Sequence, residues 1–246
     1  MPRQARKLSE SGFMHLTIRG NGRQIIFVDK QDYLHYLSLL KRFSIETSVD
    51  VCAFCLMDNH VHLLVFDQQN NTSLFMQKLG VGYAGYFNKK YQRSGHLFED
   101  RYQSKPIEDE WYLLKVFHYI LNNPRQANLC YAADYEWNSY HHYGSKTSFV
   151  KTVVFVELIG SRDDYAAFIA KDLKYDEPME LEPVRKDDNW ALSIIKKELS
   201  VENGLELKEW SWERRNAALK LLKEKGLKIK QIERLTGINR GTIQKA

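Results

Sequence analysis

Hydrophobic residues in the first 144 positions recur with two periods, two residues in some stretches and close to 3.6 in others, which separates strands from helices. Met14, Leu16 and Ile18 alternate with His15 and Thr17, predicting a strand over 13–19, and residues 24–28 form a second short apolar stretch. From Asp29 to Ile45 the spacing of Leu34, Tyr36, Leu37, Leu39, Leu40 and Phe43 is helical, with Asp29 or Asp32 placed to cap the N-terminus. Two apolar runs, 49–57 and 60–66, are joined by Asp58-Asn59 and predict a β-hairpin. Asn71-Thr72-Ser73 then caps a long amphipathic helix to about Tyr91, and Gly95 marks its stop ahead of an extended stretch over 97–107. A further helix runs from Asp109 to about Asn123, where Pro124 ends it. The order β-α-β-β-α-β-α is that of an α+β, ferredoxin-like antiparallel sheet with helices on one face. Its other face is expected to stay open for a substrate.

Past Gly144 the pattern changes, so that 1–144 reads as one domain. Residues 152–159 and 163–171 look like short helices in an acidic connector, 145–184, whose last part, Tyr175 to Pro183, is a linker carrying Asp176, Glu177, Pro178, Glu180 and Glu182. Residues 185–246 read as an all-α C-terminal domain. In it a helix from Trp212 to Lys225 is stopped by Gly226, and 229–243 has the helix, glycine turn and second-helix spacing of a helix-turn-helix. Ile232, Leu235, Ile238 and Ile243 would form its core, leaving Asn239, Arg240, Thr242, Gln244 and Lys245 to meet the major groove or phosphates. This block is similar to the DNA-binding modules of bacterial regulators and resolvases.

Charge follows the same division, with a net charge of +2 over 1–143, −3 over 144–184 and +6 over 185–246. The basic tail favours a polyanionic partner such as nucleic acid. A chain of 246 residues with 43% hydrophobic and 13% aromatic content can bury a substantial core. Three cysteines, an odd number, and the lack of an N-terminal apolar run lead to the expectation of a reduced, cytoplasmic protein with no membrane partner. Cys52 and Cys55 are spaced as C-x-x-C, but positions i and i+3 of a strand face opposite sides, so both read as core residues with diverging sulfurs.

Candidate chemistry starts at His60-Val61-His62. On a strand both imidazoles point to one face, with Val61, Leu63 and Val65 on the other, which makes half of a divalent-metal site. The helix at 109–123 supplies a partner. Around its axis Tyr119 falls with Tyr112, Lys115, Asn122 and Asn123, away from Leu113, Leu114, Phe117 and Ile120, so an accessible tyrosine on the polar edge is expected. A metal-binding histidine pair plus a tyrosine is the minimum equipment for attack on a phosphodiester. Arg101 and Lys115 are candidates to neutralise phosphate charge, and Lys89, Lys90 and Arg93, with Tyr91 among them, suit a single-strand backbone.

These residues resemble a known family. His60-Val61-His62, the run Phe117-His118-Tyr119-Ile120-Leu121-Asn122-Asn123-Pro124 and the segment Gly95-His96-Leu97-Phe98-Glu99-Asp100-Arg101-Tyr102 look like the single-tyrosine HUH transposases, most closely their REP-associated tyrosine branch. The resemblance, over about residues 8–144, implies a metal-dependent (Mg or Mn) endonuclease and strand transferase. Such an enzyme acts on single-stranded DNA hairpins as a homodimer through a 5′-phosphotyrosine. It makes His60 and His62 metal ligands, Tyr119 the nucleophile and Asn123 the third ligand, with His118 and Asn122 competing for that last place. Two other readings stand beside it: a catalytically silent, domesticated DNA-binding regulator, and a hydrolase that uses water.

Overall fold

The computed structural model describes residues 7–175, 179, 188–201 and 203–246. Asp176, Glu177, Pro178, Glu180, Glu182 and Pro183, read above as a linker, lie outside the described residues. The chain divides into two compact units, 1–181 and 182–246.

The first unit carries β1 (Phe13–Arg19), α1 (Lys30–Thr47), β2 (Asp50–Met57), β3 (His60–Phe66), α2 (Thr72–Lys90), β4 (Gln103–Ile107), α3 (Glu110–Leu121), α4 (Asn123–Gln126), α5 (Val153–Ile159) and α6 (Arg162–Ala170). Its four strands are antiparallel in the order β2-β3-β1-β4, the ferredoxin-like arrangement expected from the sequence. Leu16, Ile18, Val61, Leu63 and Val65 pack against Tyr36 and Leu40 of α1 and Phe75, Leu79 and Tyr83 of α2. The opposite face is not open. Cys55, Met57 and Leu64 are covered there by Leu113, Val116, Phe117 and Ile120 of α3, behind which lie Phe155, Tyr165 and Ile169 of α5 and α6. The reason is the circumference of α3: with apolar residues at 113, 114, 116, 117, 120 and 121 it has to bury more than one side. The sheet takes one side and α6 another. Residues 145–175 are therefore part of the first unit's core rather than a spacer beside it.

Local chemistry fixes the ends of these elements. Asp29 and Asp32 form a reciprocal capping box at the start of α1, an arrangement worth about 1 kcal/mol. At α2 the expected cap fails: Asn71 makes no side-chain cap bond, and Asp67 instead accepts from both the backbone and the hydroxyl of Thr72 at 2.6 Å. In β2 a register shift between Val51 and Ala53 interrupts the alternation, so Cys52 and Cys55 end in the same core layer instead of on opposite faces. Both thiols are buried, and burial holds them protonated.

The second unit is helical: α7 (Asp188–Leu199), a 3₁₀ turn at Gly204–Glu209, α8 (Trp212–Glu224), α9 (Ile229–Thr236) and α10 (Arg240–Lys245). Ala191, Ile195, Leu219, Leu222, Ile232, Ile238 and Ile243 form its core, with Leu235 packed at the margin. Gly237 adopts φ 62°, the left-handed conformation that ends α9 and turns the chain through Ile238 and Asn239 into α10. Among the described residues no helix is long and apolar enough to cross a membrane.

Candidate active site

Strand register builds the site. In the antiparallel pair β1–β3, Thr17 lies opposite His62 and Arg19 opposite His60, while β4 sets Lys105 opposite His15. Side chains two apart share a face, so His15, Thr17, His60 and His62 all project from the sheet toward α3. The His60 and His62 rings are 4.9 Å apart at 88°.

Each of these two rings is gripped by its Nδ1. His60 Nδ1 donates to Asn59 Oδ1 at 2.6 Å, which in the neutral ring leaves a lone pair on Nε2. That Nε2 faces Asn123 Oδ1 at 3.3 Å. His62 Nδ1 lies 3.1 Å from both His15 Nε2 and Thr17 Oγ1, whereas its Nε2 is buried with no hydrogen-bond partner. Burial pushes the His62 pKa well below the usual imidazole value, helped by the charges of His60, His15 and Arg19. His15 is lowered to about 3, by burial first and by Lys105 second. His15 and His62 are thus neutral at pH 7, which for His62 is the form in which imidazole ligates a metal.

Asn123 owes its position to the end of α3. The helix stops at Leu121, Asn122 breaks the backbone at φ −88° and ψ 7°, and Pro124 starts the four-residue α4. Asn123 thereby turns toward β3. Its two competitors turn the other way: His118 Nδ1 pairs with the Tyr175 hydroxyl at 2.8 Å, its Nε2 donates to the Lys171 carbonyl at 3.2 Å, and Asn122 Nδ2 donates to the Ile169 carbonyl at 2.9 Å. Tyr119 sits between, its ring 5.4 Å from His62, 6.0 Å from His15 and 5.5 Å from Tyr175.

The expected accessible tyrosine is not found: Tyr119 is 4% exposed. A polar helix edge is exposed only where nothing packs on it, and His118, Asn122 and Asn123 are also buried, because the polar edge of α3 is enclosed by the sheet on one side and by the 169–175 segment on the other. His15 and Thr17 were not picked out from sequence, although they share the alternation that marks β1. Only the cross-strand register joins them to His62.

A divalent ion suits this donor set. Among the described residues no group of three or more His, Cys, Asp or Glu is gathered for a metal, but here the third donor is an amide oxygen. Two imidazole nitrogens and that oxygen, with both rings oriented through their far nitrogens, match the chemistry of a site with positions left for substrate. The orphaned His62 Nε2 is the observation that fits: a buried acceptor without a partner is costly unless something fills the gap.

The other residues singled out from sequence divide. Lys115 lies on the α3 surface with its ammonium 5.5 Å from the Trp111 ring centre. Arg101 is exposed and lines a groove with Ser73, Gln77 and Gly80 of α2. Lys90 is committed elsewhere, bonding Asp29 at 2.8 Å and the buried Asp32 at 2.7 Å, which argues against its expected role on a DNA backbone. Lys89 is exposed, and Arg93 bonds Gln24 at 2.6 Å. In the second unit Asn239 caps α10, accepting from the Thr242 backbone at 2.9 Å and its hydroxyl at 3.0 Å, while Arg240, Gln244 and Lys245 are exposed.

Residues 9–123 match the sequence profile of the family described as "Transposase IS200 like". No protein of curated function matches the chain. Among solved structures, a REP-associated tyrosine transposase bound to a REP hairpin is 14% identical, with a TM-score of 0.49, over 58% of this chain and 84% of that one. A protein of Deinococcus radiodurans R1 described as a transposase is 19% identical, with a TM-score of 0.35, over 49% of this chain and 97% of that one. Assignment rests on the sequence match, which runs from ahead of β1 to Asn123 and so includes His15, His60, His62, Tyr119 and Asn123. Residues 9–123, within the first unit, thus match the IS200-like transposase family, and that match supports a DNA transposase.

Proposed function

We propose that this chain is a metal-dependent, single-strand DNA endonuclease and strand transferase that works on DNA hairpins with Tyr119 as nucleophile. One observation carries the reading: donors from β3 and α4 and the phenol of α3 gather on one side of one sheet, with Asn123 Oδ1 3.3 Å from His60 Nε2 and the Tyr119 ring 5.4 Å from His62. In the forward step Tyr119 Oη bonds to the scissile phosphorus and the P–O3′ bond breaks. The phenol gives up its proton, the departing 3′ oxygen takes one up, and a 5′-phosphotyrosine and a free 3′ hydroxyl result. Attack by the 3′ hydroxyl of another strand on the same phosphorus forms the new P–O3′ bond and releases Tyr119.

His60, His62 and Asn123 would hold Mg²⁺ or Mn²⁺, whose charge polarises the scissile phosphate. Asn59, His15 and Thr17 keep the two imidazoles turned correctly. Because Tyr119 is so deeply covered, a phosphodiester reaches it only once the Tyr175 side of the site has opened. Lys115 and Arg101 would meet phosphates, and two copies of the chain would handle two strand ends. In the second unit α9 and α10 act as a helix-turn-helix whose Arg240, Gln244 and Lys245 contact DNA.

The test is incubation of the full chain with a single-stranded hairpin and Mg²⁺ or Mn²⁺. A protein–DNA adduct that survives denaturation is expected, and it should vanish in Tyr119→Phe and with chelator. Burial of Tyr119 favours the second reading, a silent DNA-binding regulator, which would show salt-sensitive binding and no adduct in the wild type.

A further inference from the structure

We infer that the cleft at the start of α3 is a subsite for one unpaired nucleotide next to the scissile phosphate, with its base stacked on Trp111 and its phosphate held by Lys105 and Lys115. This rests on the reading of Tyr119 as nucleophile. The cleft has a volume of about 390 Å³, within the range of pockets that take small organic groups, and runs between β4 and the first turns of α3. Trp111 is 54% exposed, although it sits in a largely apolar helix. Both lysines lie over aromatic rings, Lys105 at 4.6 Å from the Tyr112 ring centre and Lys115 at 5.5 Å from that of Trp111. Ring faces flanked by cations are what a single strand needs, since stacking takes any base and the ammonium groups take the backbone. A duplex cannot use such a wall because its bases already face one another.

Two carboxylates also line the cleft, and both are turned to the backbone. Glu108 accepts from the amides of Glu10 at 3.1 Å and Ser11 at 3.0 Å, and Asp109 caps α3 by accepting from the Tyr112 amide at 2.7 Å. The Tyr112 hydroxyl, in the same wall, is buried without a hydrogen-bond partner and can serve an incoming polar atom. Two contacts tie the cleft to the nucleophile. Tyr175 lines it and packs on Tyr119 with ring centres 5.5 Å apart. Lys105 is the cross-strand neighbour of His15, whose ring is 6.0 Å from Tyr119.

The experiment compares binding of two labelled probes by the full chain: a DNA hairpin with a single-stranded extension, and the same hairpin without it. Trp111→Ala should weaken binding of the extended probe by roughly 5- to 100-fold and leave the blunt hairpin unaffected, with Trp111→Phe restoring most of the loss. Lys105→Gln combined with Lys115→Gln should flatten the slope of log K against log salt by about 0.7, the value for one phosphate no longer neutralised. Circular dichroism and Tm confirm that each variant is folded, as the exposure of Trp111 leads one to expect. Equal affinity of wild type and Trp111→Ala for the extended probe, or equal losses on both probes, overturns the subsite. Extension-specific loss in a chain whose wild type never forms an adduct supports the subsite and instead removes the chemistry proposed for Tyr119.

Discussion

Asp32 and His62 are both completely buried, on opposite sides of the same sheet, and their surroundings treat them differently. The Asp32 carboxylate receives the amides of Val28 and Asp29, the hydroxyls of Tyr86 and Tyr91, and the ammonium of Lys90. Burial opposes its ionisation, yet these donors outweigh that cost and hold its pKa below the usual carboxylate value. His62 is gripped on one nitrogen only, and the other is left in the interior with nothing to bond. A saturated buried group ties elements together, here α1 to the end of α2. A buried group with one atom held and one left over is arranged for something that arrives later.

This contrast can be broken from either side, and the largest effect is expected at His62. His62→Ala should abolish both metal binding and adduct formation, and it should also lower Tm, because it takes Nδ1 away from His15 and Thr17 and leaves a cavity at a buried position. Next in size, Asp32→Ala should cost about 3–5 kcal/mol in denaturant unfolding, since it strands Lys90 and two amides, and should leave Mn²⁺ affinity as it was. His15→Phe or Thr17→Val should weaken Mn²⁺ binding about 10- to 100-fold in a folded chain, with Thr17→Ser close to wild type. The smallest effect concerns pH. A carboxylate whose folded pKa is depressed gives its full stability above the unfolded value near 4 and loses it as pH falls through the folded pKa. Unfolding followed at pH 7, 4 and 3 should show stability declining in that acid window, and Asp32→Asn should make the decline shallower.

Much of this was legible in the sequence because it depends on short periodicities. Alternation gave β1 and β3 and set His60 and His62 on one face, and the order of elements gave the sheet topology. What escaped depends on contacts between distant segments. His15 and Thr17 join the site only through the β1–β3 register, and the fate of α3's polar edge depends on the 169–175 segment packing over it. A single extra residue in β2 reversed the facing of Cys52. Lys90 looked like a surface cation at a helix end, since nothing near it in sequence announces the carboxylates of Asp29 and Asp32. The family resemblance offers Asn123 as third ligand, one turn after Tyr119, and leaves His118 and Asn122 in competition; the turn at Asn122 is what aims Asn123 at His60.

The most direct measurement is a Mn²⁺ titration of the full-length chain followed by electron paramagnetic resonance, wild type against His62→Ala. The account predicts one ion bound per wild-type chain and none at the same concentrations in the variant, with both proteins folded. A wild type that binds no Mn²⁺, or a variant that binds it equally well, would contradict the claim that the unpartnered nitrogen of His62 is there to hold a metal.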